Sequence, residues 1–253
     1  VGAEDAYERH LALYDAAVDE GKSTWKLTPL PFNDPNYSYA HTWISENGDT
    51  LFFVSNQPGG YGGTDIYRVI RSGGVWGQPF NVGPTVNTAE NEVFPFFANH
   101  VLYFASNGHG GLGGLDLFES QVSVNGFSPP INMGYPMNST ADDFSLITRS
   151  DQRNGFYASA RKGDDNIYYF ERKNPKSPPI VPDLKPLDMA VKIFKADDNQ
   201  PVANANVRII TFAEEDKELL SNENGMVDFK LKEGTVFLIV GTKGNLTGML
   251  SEM

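Results

Sequence analysis

The chain has 253 residues, 40% of them hydrophobic and 12% aromatic, enough apolar material for two ordinary domains with cores of their own. Of its formal charge of −12, residues 1–171 carry −11, residues 172–187 carry +3 and residues 188–253 carry −4. The acidic body argues against nucleic acid as a partner. The lack of cysteine excludes a disulfide framework or a thiolate metal site, and no run approaches the roughly 18 apolar residues of a membrane-spanning helix.

The first segment, AYERHLALYDAAVDEG, is rich in Ala, Leu and Glu and reads as a helix when taken alone. The register of the next fifty residues points to a strand over HLALYDAAV instead. Tyr14 lies 11 residues before Trp25, much as Tyr67 lies 9 before Trp76. Next comes an apolar strand, YAHTWIS, a turn marked by Asn47-Gly48, and a second strand, LFFVS. A glycine-rich loop leads into DIYRVIR, the turn SGG, and an outer strand that opens at Trp76. That makes four short strands in about fifty residues.

The glycine loop is written twice. In SNQPGGYGGTDIY, Ser55, Gly59, Gly60, Gly62, Gly63, Asp65 and Tyr67 recur 51 residues later in SNGHGGLGGLDLF as Ser106, Gly110, Gly111, Gly113, Gly114, Asp116 and Phe118. A phosphate cradle needs such a loop to open a helix, usually with a Lys; here it runs into another strand, which makes it a tight hairpin. The following stretch repeats too, Asn81 with Asn132 and Asn87 with Asn138, and Trp25, Trp76 and Phe127 are spaced 51 apart. A third copy, FYASARKGDDNIYYF, has lost three loop residues and carries Asn166 where Asp65 and Asp116 stood. A period near fifty with four strands per period predicts an all-β chain whose residues 1–171 form β-propeller blades: three recognisable ones and part of another. Propellers close with four to eight blades, and the chain opens on Val1, so a fragment of a larger propeller with further blades upstream is expected. Asp65 and Asp116 are expected to accept backbone N–H bonds that pin their hairpins, with Asn166 a weaker version. Trp25, Trp76 and Phe127 are expected to pack between blades.

RKNPKSPPIVPDLKP holds five prolines in fifteen residues and reads as an extended spacer over 172–187. Beyond it, AVKIFKADDNQPVANANVRIITF, LLSNENGMVDFKL and EGTVFLIVGTKGN alternate apolar and polar residues between turn signals. This predicts a small β-sandwich over 188–253.

These residues carry a resemblance. LPFNDPNYSYAHTWISENGDTLFFVSNQPGGYGGTDIY, NVGPTVNTAENEVFPF, LYFASNGHGGLGGLDLF and NMGYPMNSTADDF resemble the TolB-like, WD-repeat-like propeller of Bacteroidetes OmpA-family envelope proteins, among them the PorE-like components of type IX secretion. Gln200-Pro201-Val202, Ala205, Asn224-Gly225 and Glu233-Gly234 resemble a carboxypeptidase-regulatory-like domain, which in that family has no active site. The resemblance implies a non-enzymatic scaffold of the periplasm, associated with the outer membrane. It implies protein partners on the propeller surface, and peptidoglycan bound only through an OmpA-like domain that this chain does not contain. No catalytic residue, cofactor or metal is expected. The four histidines, His10, His41, His100 and His109, lack metal spacing and read as turn or surface residues. Asp142-Asp143 and Asp164-Asp165 lack the ligand spacing of a calcium loop. A carbohydrate-active enzyme would need separated carboxylates near the axis, for which Glu92 and Asp143 are the candidates; a periplasmic ligand-binding module is the third reading.

Overall fold

The computed structural model describes residues 10–19, 21, 24–123, 126–173, 185–211, 217–232, 237–244 and 246–252. The named elements in them are all strands, paired antiparallel in several separate sheets. The described residues form no closed barrel or ring.

A hairpin comes first, β1 (Tyr14–Asp19) on β2 (Thr24–Pro29), with Tyr14 opposite Pro29 and Val18 opposite Trp25. The strand expected over HLALYDAAV is thus present over its second half; residues 1–9 lie outside the described residues. Sheet I contains β3 (Tyr39–Ile44), β4 (Thr50–Ser55) and β5 (Asp65–Ser72), and two short strands, β6 (Val75–Trp76) and β7 (Phe80–Asn81), pair with the far side of β5. Sheet II repeats this plan with β8 (Glu92–Ala98), β9 (Val101–Ser106), β10 (Asp116–Ser123), β11 (Gly126–Phe127) and β12 (Ile131–Asn132). Sheet III has three strands, β13 (Asp143–Thr148), β14 (Asn154–Ser159) and β15 (Asn166–Glu171). The expected fourth strand is therefore two fragments in sheets I and II. Pro79 and Pro129-Pro130 stand in the gaps, where a residue without an N–H cannot carry the ladder on.

Alternation along the central strands gives each sheet two apolar faces. On sheet I, Phe52, Val54 and Ile66 form the forward face, which meets sheet II: Phe52 stacks on Phe97, the cross-strand partner of Leu102, with centroids 5.7 Å apart. The same cluster runs on through Tyr103 and Leu117 of sheet II to Tyr157 and Phe170 of sheet III. The rear face of sheet I, with Leu51, Phe53, Tyr67 and Val69, packs with Leu30 and Trp76 against Leu13 and Phe32 of the N-terminal segment.

Trp76 is buried in that rear packing and its indole N–H donates to Asp15 Oδ2 at 3.3 Å; Phe127 is partly buried against the shared core. Trp25 departs from the expectation, being 69% exposed. It lies on the rear face of its own hairpin, beside Val18, and no sheet among the described residues precedes that hairpin to cover it.

The C-terminal part holds β16 (Pro186–Lys192), β17 (Asn206–Thr211), β18 (Lys217–Leu220), β19 (Met226–Lys232), β20 (Phe237–Lys243) and β21 (Leu246–Glu252). They form a two-stranded sheet, β16–β19, and a four-stranded one, β18–β17–β20–β21, around a core of Val207, Ile209, Val227, Phe229, Leu231 and Ile239. β16 begins inside the stretch read as spacer; residues 174–184 of that stretch lie outside the described residues. Ile210 and Val240 pack on Ile70 and Phe80 of sheet I. Arg208 adds a salt bridge to Asp49 at 3.2 Å and a hydrogen bond to the Arg71 carbonyl at 2.8 Å.

The packing separates the two tryptophans energetically. Trp76→Ala should cost ~3–5 kcal/mol in urea unfolding, as a large buried ring does, whereas Trp25→Ala should stay within about 0.5 kcal/mol. Equal losses at the two positions would contradict this placement.

Candidate functional site

All the repeated polar residues gather at one end of the sheets. There the β4–β5 loop meets the link that leads from β7 into β8, and the β9–β10 loop meets the link from β12 into β13. The contact is built first from an amide. Asn87 accepts from Ile66 N–H at 2.9 Å and donates to the Ile66 carbonyl at 3.0 Å; Asn138 does the same to Leu117 at 2.7 and 2.9 Å. Each amide acts as one residue of a neighbouring strand would. Asn81 and Asn132 accept a further bond from these amides at 2.7 and 2.8 Å, which fixes their orientation.

The glycine loop then lies directly against the entrance to the next sheet. Gly63 N–H donates to the Glu90 carbonyl at 2.7 Å, and Glu92 N–H donates to the Thr64 carbonyl at 2.8 Å. A Cβ on Gly62 would fall on the backbone of Thr88 and Ala89, and one on Gly113 on the carbonyls of Ser139 and Ala141. These two positions need glycine for close approach rather than for a left-handed backbone. Inside the loop, Asp65 Oδ2 accepts from Tyr61 N–H at 2.5 Å and from Asn81 at 2.7 Å. Asp116 Oδ2 accepts from the N–H groups of Leu112 and Gly113 at 2.8 and 3.0 Å. Both aspartates are buried, and among the described residues their Oδ1 atoms have no hydrogen-bond partner. Ser55 and Ser106 turn their hydroxyls to the loop, accepting from Gln57 N–H at 3.1 Å and Gly108 N–H at 2.9 Å.

The third copy works differently from the expectation. Asn166 is exposed and donates to the Asp164 carbonyl at 2.7 Å; with three loop residues missing, no backbone N–H among the described residues donates to it. Arg161 takes over. Its guanidinium reaches the carbonyls of Pro136 and Met137 at 2.8 and 2.7 Å, Ser159 Oγ at 2.7 Å and Asp143 Oδ1 at 2.8 Å, while lying over the rings of Tyr157 and Tyr168. Arg161 sits outside the repeated positions, which is why the repeat alone does not single it out.

Glu92 and Asp143, the two carboxylates considered for catalysis, share one register position and are fully buried. Glu92 accepts from Thr88 N–H, Thr88 Oγ1 and Ser106 Oγ, each at 2.7 Å. Asp143 accepts from Ser139 N–H at 2.5 Å and Ser139 Oγ at 2.8 Å, besides Arg161. Neither presents surface to a substrate. Among the described residues no group of three or more His, Asp or Glu side chains gathers to hold a metal ion. His109 is wedged between Phe104 and Phe118 with Nε2 at 2.8 Å from the Val86 carbonyl, so it serves the junction between sheets I and II.

One feature of this end was not visible in the motifs. The first strand of each of sheets I, II and III bulges, and the bulge residue has a left-handed backbone without being glycine: His41 at φ 47°, Phe94 at 53° and Ser145 at 55°. The bulges align rings across the sheets. His41 stacks on Phe94 with centroids 3.8 Å apart, and Phe94 on Phe144 at 5.0 Å. Loss of solvent lowers the His41 pKa below the ordinary imidazole value, although the residue keeps an exposed side. Beside this stack lies a shallow recess of ≈ 400 Å³ whose polar rim includes Thr64, Asn91, Asn107 and Asp142.

No family model matches the chain, and no curated protein matches it. Among solved structures it is paired with native alpha-2-macroglobulin from Escherichia coli, spanning domains MG0-NIE-MG1, at 11% identity over 97% of each chain with a TM-score of 0.23. A superposition that loose carries no argument.

The loop network makes a graded expectation for unfolding experiments. Asp65→Ala and Asp116→Ala should each cost ~1–3 kcal/mol by stripping the acceptor from partly buried N–H groups. Arg161→Met should cost ~3 kcal/mol or more, because it leaves Asp143 buried without its counter-charge. An Arg161 variant as stable as the parent would show that Ser139 alone satisfies Asp143.

Proposed function

We propose that the chain is a non-enzymatic scaffold of the bacterial periplasm, associated with the outer membrane. In this reading its repeated sheets are blades of a β-propeller larger than this chain, and the C-terminal sandwich positions a neighbouring domain. It resembles in this the OmpA-family components of type IX secretion. The carrying observation is the direction in which the repeat points. The repeated Asn87 and Asn138, Asp65 and Asp116, and the equivalent Glu92 and Asp143 turn inward to hold their own sheet or the next. What faces outward from the same end is Tyr61, Leu112 and Tyr135, exposed by 47, 54 and 83%. Exposed large apolar side chains on rigid loops suit protein contacts. Buried carboxylates with filled acceptors do not suit acid–base catalysis, where the group must reach the reacting atom.

The recess beside His41 and Phe94 favours a second reading, a module that binds a small polar ligand. Strained non-glycine backbone collects at such sites.

Three measurements test the scaffold reading. As a scaffold, the chain should retain envelope proteins in a pull-down and leave chromogenic glycosides intact. With wall binding assigned to an OmpA-like domain, residues 1–253 should stay in the supernatant when purified peptidoglycan is sedimented. Sedimentation with the wall would move that role onto the propeller or the sandwich, and sugar turnover would overturn the scaffold reading outright.

A further inference from the structure

The recess beside His41 and Phe94 is assembled at two junctions from equivalent residues of unlike chemistry. Thr64 and Asn91 pair as a parallel bridge where sheet I meets sheet II. Asn91 recurs 51 residues on as Asp142, where sheet II meets sheet III. Both side chains lie against the last glycine of the loop behind them, since a Cβ on Gly63 would fall on Asn91 Oδ1 and one on Gly114 on Asp142 Oδ1. Asn91 Oδ1 accepts from Thr64 Oγ1 at 3.1 Å, and Asp142 Oδ1 accepts from Leu115 N–H at 2.8 Å. Asn107 Oδ1 accepts from Asn91 N–H at 3.0 Å and completes the rim. The adjacent Glu92 and Asp143 are sealed, but Asp142 is exposed. Its Oδ2 has no hydrogen-bond partner among the described residues.

The recess has the electrostatics of a cation site. Asp142 supplies a full negative charge, Asn91 and Thr64 supply further oxygens, and among the described residues no Lys or Arg lines it. Desolvation lowers the His41 pKa, so the imidazole is uncharged at neutral pH and adds no opposing charge. The acidic body, −11 over residues 1–171, draws cations toward the surface as a whole. Val93, Phe94 and Leu115 give the recess apolar walls, which suit the methylene stem of a long cationic side chain. Size and depth then decide between a free molecule and a side chain. At ≈ 400 Å³ the recess stands at the low end of small-molecule pockets, and it is too shallow to enclose most of a ligand as they do. It holds the tip of something larger. Tyr61 and Leu112 are exposed on the same loops that carry Thr64 and Leu115, so a protein seated on those rings brings its side chains to the recess.

We propose that this recess receives the guanidinium of an arginine presented by a partner protein, its stem on the apolar walls and its head among Asp142 Oδ2, Asn91 Oδ1 and Thr64 Oγ1. Arginine fits better than lysine because the acceptors belong to two junctions and stand apart. A planar fork of five N–H donors reaches several of them at once, where an ammonium acts as a point charge. Arginine is also enriched at the centres of protein interfaces. The assignment of a protein occupant rests on the scaffold reading; the cation chemistry of the recess does not.

The experiment titrates the 253-residue chain with N-acetyl-Gly-Arg-Gly-amide and follows the side-chain amide signals of Asn91 and Asn107 by NMR. Both signals should move together and saturate in the millimolar range. The matching lysine peptide should bind about fivefold more weakly. The citrulline peptide, uncharged but of the same shape, should bind about tenfold more weakly. Asp142→Asn keeps the acceptor for Leu115 N–H and removes only the charge, so the fold survives while arginine binding falls about tenfold. Asn91→Asp copies the carboxylate of the equivalent position and should tighten binding severalfold. No saturable shift up to ~20 mM peptide, or binding untouched by Asp142→Asn, would overturn the proposal. So would equal affinity for the lysine peptide, which leaves a plain charge contact, or for the citrulline peptide, which gives the recess to an uncharged ligand. The scaffold reading stands or falls separately in the pull-down. A protein retained equally by the parent and by Asp142→Asn keeps the scaffold and removes the recess from the contact; arginine binding with no protein retained keeps the cation site and removes the partner.

Discussion

Two amide side chains, Asn87 and Asn138, let one sheet hand over to the next. Each occupies the hydrogen-bonding edge of a residue in the strand it passes, Ile66 or Leu117, and so anchors the link before the chain turns into the following sheet. An amide does this well because it presents donor and acceptor at the spacing of a peptide unit. With that link anchored, the glycine loop can lie flat on it, and the backbone bonds from Gly63 to Glu90 and from Glu92 to Thr64 become possible. The apolar faces then meet at fixed register. Hydrophobic burial supplies most of the stability, but it has no direction of its own. The amides and the glycine contacts choose which face meets which.

The repeat exposed much of this to a reader of the sequence, and the reason is periodicity rather than motif. A spacing of 51 shared by Asp65 and Asp116, Asn81 and Asn132, and Asn87 and Asn138 marks positions where geometry is reused. Strand positions and the turn character of the glycine loop came directly from it. The split of the fourth strand did not, because its sequence is apolar enough for a strand and only the prolines interrupt the ladder. Trp25 illustrates a deeper limit. Its spacing and its face match those of Trp76, yet burial belongs to a pair of surfaces, and a periodic sequence does not say where the stacking stops.

Sheet III shows how a repeat can lose its signature and keep its junction. Deleting three loop residues removes the N–H donors that an aspartate at position 166 would need, and a carboxylate left there would face a shortened loop. Arg161 restores the lost bonds from the other side, reaching back to the carbonyls of Pro136 and Met137 in the preceding link and to Asp143. One guanidinium with five donors in a fixed fork replaces a loop held by several glycines. The exchange was illegible in the sequence because the compensating residue lies outside the repeated register and works through tertiary contact.

This bears on where chemistry should be sought in such a chain. Glu92 and Asp143 attracted notice as a carboxylate pair, but their common spacing has a simpler cause: they are one structural part made twice, each sealed by a hydroxyl-bearing residue four positions earlier. A functional site needs the opposite combination, geometry held constant while residue type varies. His41, Phe94 and Ser145 have it. The three share a bulge and a left-handed backbone, yet one is an imidazole, one an apolar ring and one a hydroxyl. Packing alone would favour the same solution at each position, or glycine, which adopts that backbone at little cost. The retained strain therefore sets these three positions apart from the repeated polar residues around them, and two of them, His41 and Phe94, line the recess rather than the loops that the motifs bring to notice.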